Sequence, residues 1–265
     1  MPGALDEIVA FHRARAADDD RPTARLLAKA GAAPSPPALL DALVRPDGEP
    51  IRVIAEVKRR SPSAGVLRAD LDVGRLATAY EGGGAAAISV LTDVPHFGGS
   101  LDDVAEVRAA TVLPVLRKDF TVSANDVADT RLMGASGVLL IVAILSRHEL
   151  RTLLEVADLL GLTALVEVHD ATEQELALTL GALVVGVNQR DLSTFTVDPS
   201  RAAALAAGFP SDVVTVAESG IRDAEGSQRC ADLGYDAVLV GEALVRSGDP
   251  GGAVAAMHGG PGVAA

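Results

Sequence analysis

A (β/α)8 barrel with an N-terminal helical extension is the fold this sequence predicts, and three observations predict it. Eight short β-rich apolar runs recur along the chain, segments of helical periodicity lie between them, and the runs are continuously apolar rather than alternating. Strands apolar at every position belong to a parallel sheet covered on both faces, and eight βα units in roughly 200 residues point to closure of that sheet. A doubly wound open sheet is the competing fold. No G-x-G-x-x-G turn follows the first strand, which weighs against it.

The first 48 residues do not fit the repeat. They hold an amphipathic segment at 5–15, a second one around 25–29 and the loop-like "GAAPSPPA" at 31–38, so they read as a helical extension (1–48) packed on a single barrel (49–265). The predicted strands follow in order at 52–57, 86–91, 112–116, 137–141, 163–168, 183–187, 213–217 and 236–240. Between them, "SRHELRTLLEVADLLG" and "DAEGSQRCADLG" have helical spacing and close on glycine, a natural helix stop, and "ATEQELALTLGA" is a third helical segment.

Composition narrows the function. With 36 acidic against 23 basic residues the net charge is −13, so the molecule as a whole repels nucleic acid and anionic membrane, and an anionic ligand needs a local basic pocket. Cys230 is the one cysteine, which excludes an internal disulfide and a cysteine-based zinc site and fits a reducing, cytoplasmic compartment. Five scattered histidines show no local ligand spacing, so no metal is expected. The longest apolar run, 138–145, is too short to span a bilayer.

The chemistry collects at strand ends. A buried charge costs several kcal/mol unless it is paired or bound, yet the first strand runs straight into "EVKRR". By the period-2 rule Ile54, Glu56 and Lys58 share one face, as do Leu116 and Lys118 on the third strand and Leu165, Glu167 and His169 on the fifth. The sixth strand ends with Asn188 and Arg190 on a common face, and the seventh brings Glu218, Ser219 and Gly220. Polar groups at five of eight C-terminal ends, above apolar N-terminal halves, mark the mouth where barrels hold their sites. Ser219-Gly220 after strand seven and Gly241-Glu242 after strand eight have the form of a phosphate site, with backbone N–H groups open to an anion. A closed salt-bridge network capping the barrel is the alternative reading at each position.

The stretches "IAEVKRRSPSAG", "SVLTDVPHFGGS", "PVLRKDF", "LVEVHD", "GVNQRDL", "AESGI" and "VLVGEAL" resemble, in order and spacing, the strand-end motifs of the indole-3-glycerol-phosphate synthase family, and "LDEIVAFHR" resembles its first extra helix. The resemblance implies ring closure with decarboxylation and dehydration of 1-(2-carboxyphenylamino)-1-deoxyribulose 5-phosphate in tryptophan synthesis. No cofactor is implied. Carried over by position, Lys118 resembles the general acid, Glu167 its partner acid/base, Lys58 the lysine that reaches the substrate anions and Glu56 the carboxylate beside it. Asn188, Arg190, Glu218 and Ser219 match the polar lining and Ser61 the neighbourhood of the substrate carboxylate. Phe97, Phe120 and Leu139 match the apolar walls, and Gly220, Gly241 and Glu242, with Lys58, match the phosphate cradle. The chain departs from the family at Gln189, at Asn125-Asp126 and in the wording of "LTDVPHFGGS". A phosphorylated small molecule is the expected partner and a monomer the expected state. A Schiff-base aldolase built on Lys118 and a barrel that senses a phosphorylated ligand without turnover are the rival readings.

Overall fold

The computed structural model describes residues 4–61, 65–191 and 194–258. Its frame is a closed barrel of eight strands: β1 (Arg52–Val57), β2 (Ala87–Leu91), β3 (Val115–Lys118), β4 (Gly137–Ile141), β5 (Thr163–Val168), β6 (Val184–Asn188), β7 (Val214–Glu218) and β8 (Ala237–Val240). Each strand pairs in parallel with its sequence neighbours, and β8 closes on β1 with Arg52 opposite Ala237. Helices alternate with the strands, as parallel crossovers require.

Three helices precede the barrel: α1 (Ala4–Ala17), α2 (Thr23–Gly31) and α3 (Leu39–Leu43). Leu39 is fully buried and its side chain lies against Gly137 at the start of β4, where a Cβ would strike it. The extension is also tied down by charge, with Arg15 on Asp126 at 2.6 Å, Arg13 on Glu149 at 2.7 Å and Asn125 donating to Asp19 at 2.8 Å. These contacts give the departures at Asn125-Asp126 a role, since both side chains hold the extension.

The helices that follow are α4 (Val73–Gly82), α5 (Val94–Phe97), α6 (Asp102–Ala110), α7 (Ala124–Leu132), α8 (Arg147–Leu159), α9 (Ala171–Thr179), α10 (Ser200–Ala206), α11 (Ala224–Asp232), α12 (Glu242–Arg246) and α13 (Pro250–Met257). Their starts are written in the sequence. Ser123 with Asp126 and Ser146 with Glu149 form capping boxes on α7 and α8, and Asp72, Asp170 and Asp223 cap α4, α9 and α11. The predicted glycine stops at Gly161 and Gly234 have φ of 64° and 91°, the left-handed conformation that ends a helix.

One strand differs from the sequence reading by more than a single residue at an end. The third strand is not 112–116 but Val115–Lys118: Val112 is 79% exposed, and Pro114 accepts from Ile88 through its carbonyl yet has no N–H to give. The shift matters, because it places Lys118 within the strand, opposite Leu91 of β2, and not in the loop beyond it. Ile54, Leu116 and Leu165 are fully buried, and two residues further along the same strands stand Glu56, Lys118 and Glu167. Period 2 thus stacks a polar layer directly on an apolar one. Among the described residues no helix is long and apolar enough to cross a membrane, and Cys230 lies buried on α11.

Candidate active site

A cavity of about 520 Å³ opens at the C-terminal ends of the strands. Every residue to which the sequence assigned a role lines it: Glu56, Lys58 and Ser61 from β1 and beyond, Lys118 from β3 and Phe120 after it, Leu139 from β4, Glu167 from β5, Asn188 from β6 and Arg190 after it, Glu218 from β7 with Ser219 and Gly220 after it, Gly241 and Glu242 after β8, and Phe97 at the end of α5. His169, placed on the same face as Glu167, stands outside the lining, with Nε2 3.5 Å from Glu167 Oε1 and Nδ1 on Glu173 at 3.0 Å.

Lys118 is the centre of the arrangement. Its Nζ donates to Glu218 Oε2 at 2.7 Å and to Glu167 Oε2 at 3.3 Å, while the second oxygen of each carboxylate is buried without a hydrogen-bond partner. Burial works against the Lys118 ammonium, but the charges of Glu218, Glu167 and Glu56 outweigh it and raise its pKa. Burial also works against ionisation of Glu167, and there Lys118, His169 and Asn188 win, so its pKa is lowered and it stands as a carboxylate. Glu218 goes the other way: burial, opposed by Lys118 and reinforced by Glu167 and Glu56, pushes it up to about 7. Two carboxylates on β5 and β7, either side of β6, are thereby driven apart in acidity, one a base and one a group that gains and loses a proton near neutrality.

A second pair sits across the barrel. Lys58 Nζ is 2.5 Å from Glu56 Oε2, so the lysine just beyond β1 is held by the carboxylate near the end of that strand. A Cβ on Gly241 would collide with Glu56 Oε2 and come within 3.1 Å of Lys58 Nζ, and one on Gly186 would collide with Glu218 Oε1. Both glycines make room for buried carboxylates. For Gly241 this is a need beyond backbone approach to an anion.

The strand ends are fixed from below. Ser219 has φ of 65°, rare for a residue with a side chain, and Gly220 has φ of 78°. Gln189, one of the departures, stabilises this turn by donating from Nε2 to the Ser219 carbonyl at 2.7 Å and from its backbone N–H to Glu218 at 3.0 Å. Asn188 Oδ1 accepts the Arg190 backbone N–H at 2.9 Å, and Arg190 Nη1 donates to the Phe195 carbonyl at 2.8 Å. Glu242 pairs with Arg246 at 3.2 Å, and both residues line the cavity.

Apolar surface faces these charges. Phe97 and Phe120 lie with ring centroids 6.0 Å apart, and Leu139 completes that wall. Sequence reasoning missed Phe195, Val197 and Ile221 on the opposite side, and the two arginines Arg222 and Arg246. The spacing of Glu242 and Arg246 at i, i+4 was a usable signal. Phe195 and Val197 lie in a loop without periodicity and gave none.

Acids and bases converging at the C-terminal mouth of a closed parallel barrel define a class, the (β/α)8 enzymes that act by proton transfer on a ligand held between the strand ends. The family model described as indole-3-glycerol phosphate synthase matches residues 5–257. The chain belongs to that family. It is 50% identical over 255 residues to indole-3-glycerol phosphate synthase of Mycobacteroides abscessus, covering 96% of this chain and 92% of that protein. The protein of the same name from Micrococcus luteus is 52% identical over 241 residues, covering 90% of each. Among solved structures, an N-acetylmannosamine-6-phosphate 2-epimerase from Clostridium perfringens matches with a TM-score of 0.60 at 19% identity, covering 77% of this chain and 90% of that one, a likeness of fold alone.

Proposed function

We propose that the cavity carries out the reaction for which the family is named, forming indole-3-glycerol phosphate from 1-(2-carboxyphenylamino)-1-deoxyribulose 5-phosphate in tryptophan biosynthesis. The observation that carries this reading is Lys118 held between Glu167 and Glu218 inside the cavity. Lys118 donates a proton to the ketose oxygen as the aromatic carbon attacks, and its charge stabilises the oxygen as it develops. Carbon dioxide then leaves the ring carbon, and loss of the hydroxyl as water completes the aromatic product. Glu167, ionised, takes a proton from the methylene carbon beside the nitrogen, while protonated Glu218 gives the departing hydroxyl the proton with which it leaves as water. Glu218, near its own midpoint at neutral pH, exchanges protons with this pair.

The remaining residues bind. Phe97, Phe120 and Leu139 sandwich the carboxyphenyl ring, Ser61 lies near its carboxylate, and Glu56, Asn188, Arg190 and Ser219 orient the sugar. Lys58 and the backbone at Gly220, Gly241 and Glu242 hold the phosphate. No cofactor enters. Residues 1–48 are an extension to a barrel over 49–265, and the chain works as a monomer in a reducing cytoplasm, which its single buried cysteine suits.

The Schiff-base alternative is disfavoured by the same geometry. A lysine nucleophile needs its pKa depressed so that the free amine is present, and here two carboxylates hold Lys118 as the ammonium. Absorbance-detected turnover of the carboxyphenylamino ketose phosphate tests the proposal, with inorganic phosphate expected to compete with substrate in the wild type and less well in Lys58→Ala. Absence of turnover, or a covalent adduct trapped by borohydride, overturns it.

A further inference from the structure

The histidines are distant in sequence, yet folding brings two of them onto one carboxylate. His12 on α1, Asp93 at the N-cap of α5 and His96 within α5 place one donor atom each within 4.8 Å of one another, the one such group among the described residues. Asp93 Oδ2 receives His12 Nε2 at 2.8 Å and His96 Nδ1 at 2.9 Å. Its other oxygen is occupied by the backbone N–H groups of His96 and Phe97 at 2.7 and 2.9 Å. The carboxylate is therefore fixed, with one oxygen committed to two imidazoles.

A second observation concerns the far side of His12. Its Nδ1 is buried, has no hydrogen-bond partner and lies 3.8 Å from Asp119 Oδ1. With the ring proton on Nε2, a lone pair on Nδ1 faces a carboxylate, which is repulsive. A cation on Nε2 would move that proton to Nδ1, where Asp119 can accept it, giving the carboxylate–histidine–metal arrangement that orients ligating imidazoles. Asp119 is itself held by Arg117 at 2.7 Å and Thr92 at 2.6 Å. The rings are fixed as well, because Phe11 meets His12 and His96 edge-on at 5.2 and 5.6 Å, and Phe120 lies against His12 at 5.3 Å.

We propose that His12 Nε2, His96 Nδ1 and Asp93 Oδ2 form a binding site for a divalent transition metal of the zinc class, clamping α1 to the β2–α5 segment. Two imidazoles and one carboxylate suit Zn²⁺, Co²⁺ or Ni²⁺, whereas Mg²⁺ and Ca²⁺ prefer all-oxygen shells. Binding needs a change of tautomer on each ring and a small turn of the rings off Asp93 Oδ2, at which both nitrogens point, so that an ion stands about 2 Å from each ligand. His96 is partly open to solvent, which gives the ion an entry path and leaves room for water as a further ligand. None of the three ligands lines the cavity, but Phe97 beside His96 and Phe120 against His12 do, so the clamp stiffens the cavity's apolar wall.

The test uses the full chain, stripped with a chelator. Titration with Co²⁺ followed by its visible absorption, and with Zn²⁺ by calorimetry, should show one saturable site per chain, and Zn²⁺ should raise the melting temperature. His96→Gln, at the solvent-facing ligand, should keep the fold and lose the site; His12→Gln should lose it too; and Asp119→Asn should weaken it about 10–100-fold. No saturable binding to the wild type, or binding undiminished in both histidine variants, overturns the proposal and leaves the cluster as a hydrogen-bonded tie.

Discussion

Arg117 and Lys118 are neighbours on β3 and belong to two buried ion clusters that differ in how completely their atoms are paired. Arg117, pointing away from the cavity, donates to Thr92 at 3.1 Å, to the Asp126 carbonyl at 3.0 Å, to Thr130 at 3.2 Å and to Asp119 at 2.7 Å. Asp119 in turn accepts from Thr92 and from the Phe120 N–H. Lys118, pointing inward, reaches two carboxylates that each keep a buried oxygen with no donor. An unpaired buried polar atom costs about 1–3 kcal/mol. A cluster that is fully paired holds the scaffold; one left incomplete beside a cavity waits for the ligand that completes it.

The largest expected effect lies on the incomplete side. Lys118→Ala and Glu167→Gln should each lower kcat by about 10²–10⁴-fold while substrate still binds, the usual loss for a general acid or base. Next is the complete side: Arg117→Met should lower unfolding free energy by roughly 3–5 kcal/mol, since it strands the buried Asp119, with turnover of the folded fraction little changed. If Arg117→Met abolishes turnover without loss of stability, the division between the clusters fails.

The third prediction sharpens the comparison through pH. Glu218 has its pKa raised from 4.5 to about 7 in the folded chain, so the contribution of its bound proton to stability is full below pH 4.5 and is lost as pH rises through 7. Glutamine cannot ionise. Glu218→Gln should therefore gain stability relative to the wild type as pH climbs from 4.5 to 7 and then level off, by roughly 3 kcal/mol in all. Denaturant midpoints of both proteins across that range check it, and a constant difference contradicts it. The smallest effect is at the rim, where Glu242→Gln breaks only an exposed pair worth about 0.5 kcal/mol and should leave KM nearly unchanged. Gly241→Ala should be far worse, because the added methyl meets Glu56.

Much of this site could be read from the sequence because period 2 is strict. Once eight strands are recognised, Glu56, Lys118, Glu167, Asn188 and Glu218 must face the same mouth, and a strand boundary misplaced at 112–116 did not alter which face Lys118 takes. What depended on three-dimensional packing stayed hidden. The raised pKa of Glu218 comes from burial and from the charges of Glu167 on β5 and Glu56 on β1, and no local pattern encodes it. Likewise, His12 and Asp93 are 81 positions apart, so their meeting belongs to the docking of α1 and not to any ligand spacing. Gly186 reads as an ordinary strand residue until Glu218 is seen filling the space its missing side chain leaves.

The central claim is that the incomplete cluster around Lys118 is the chemical machinery and not a structural ion pair. Its most direct test is turnover of the carboxyphenylamino ketose phosphate by purified, folded Lys118→Ala, followed by the absorbance of the indole product. The account predicts a rate at least about a hundredfold below wild type with substrate binding retained. A rate equal to wild type would contradict it, and would make Lys118 the counterpart of Arg117 in a second scaffold cluster.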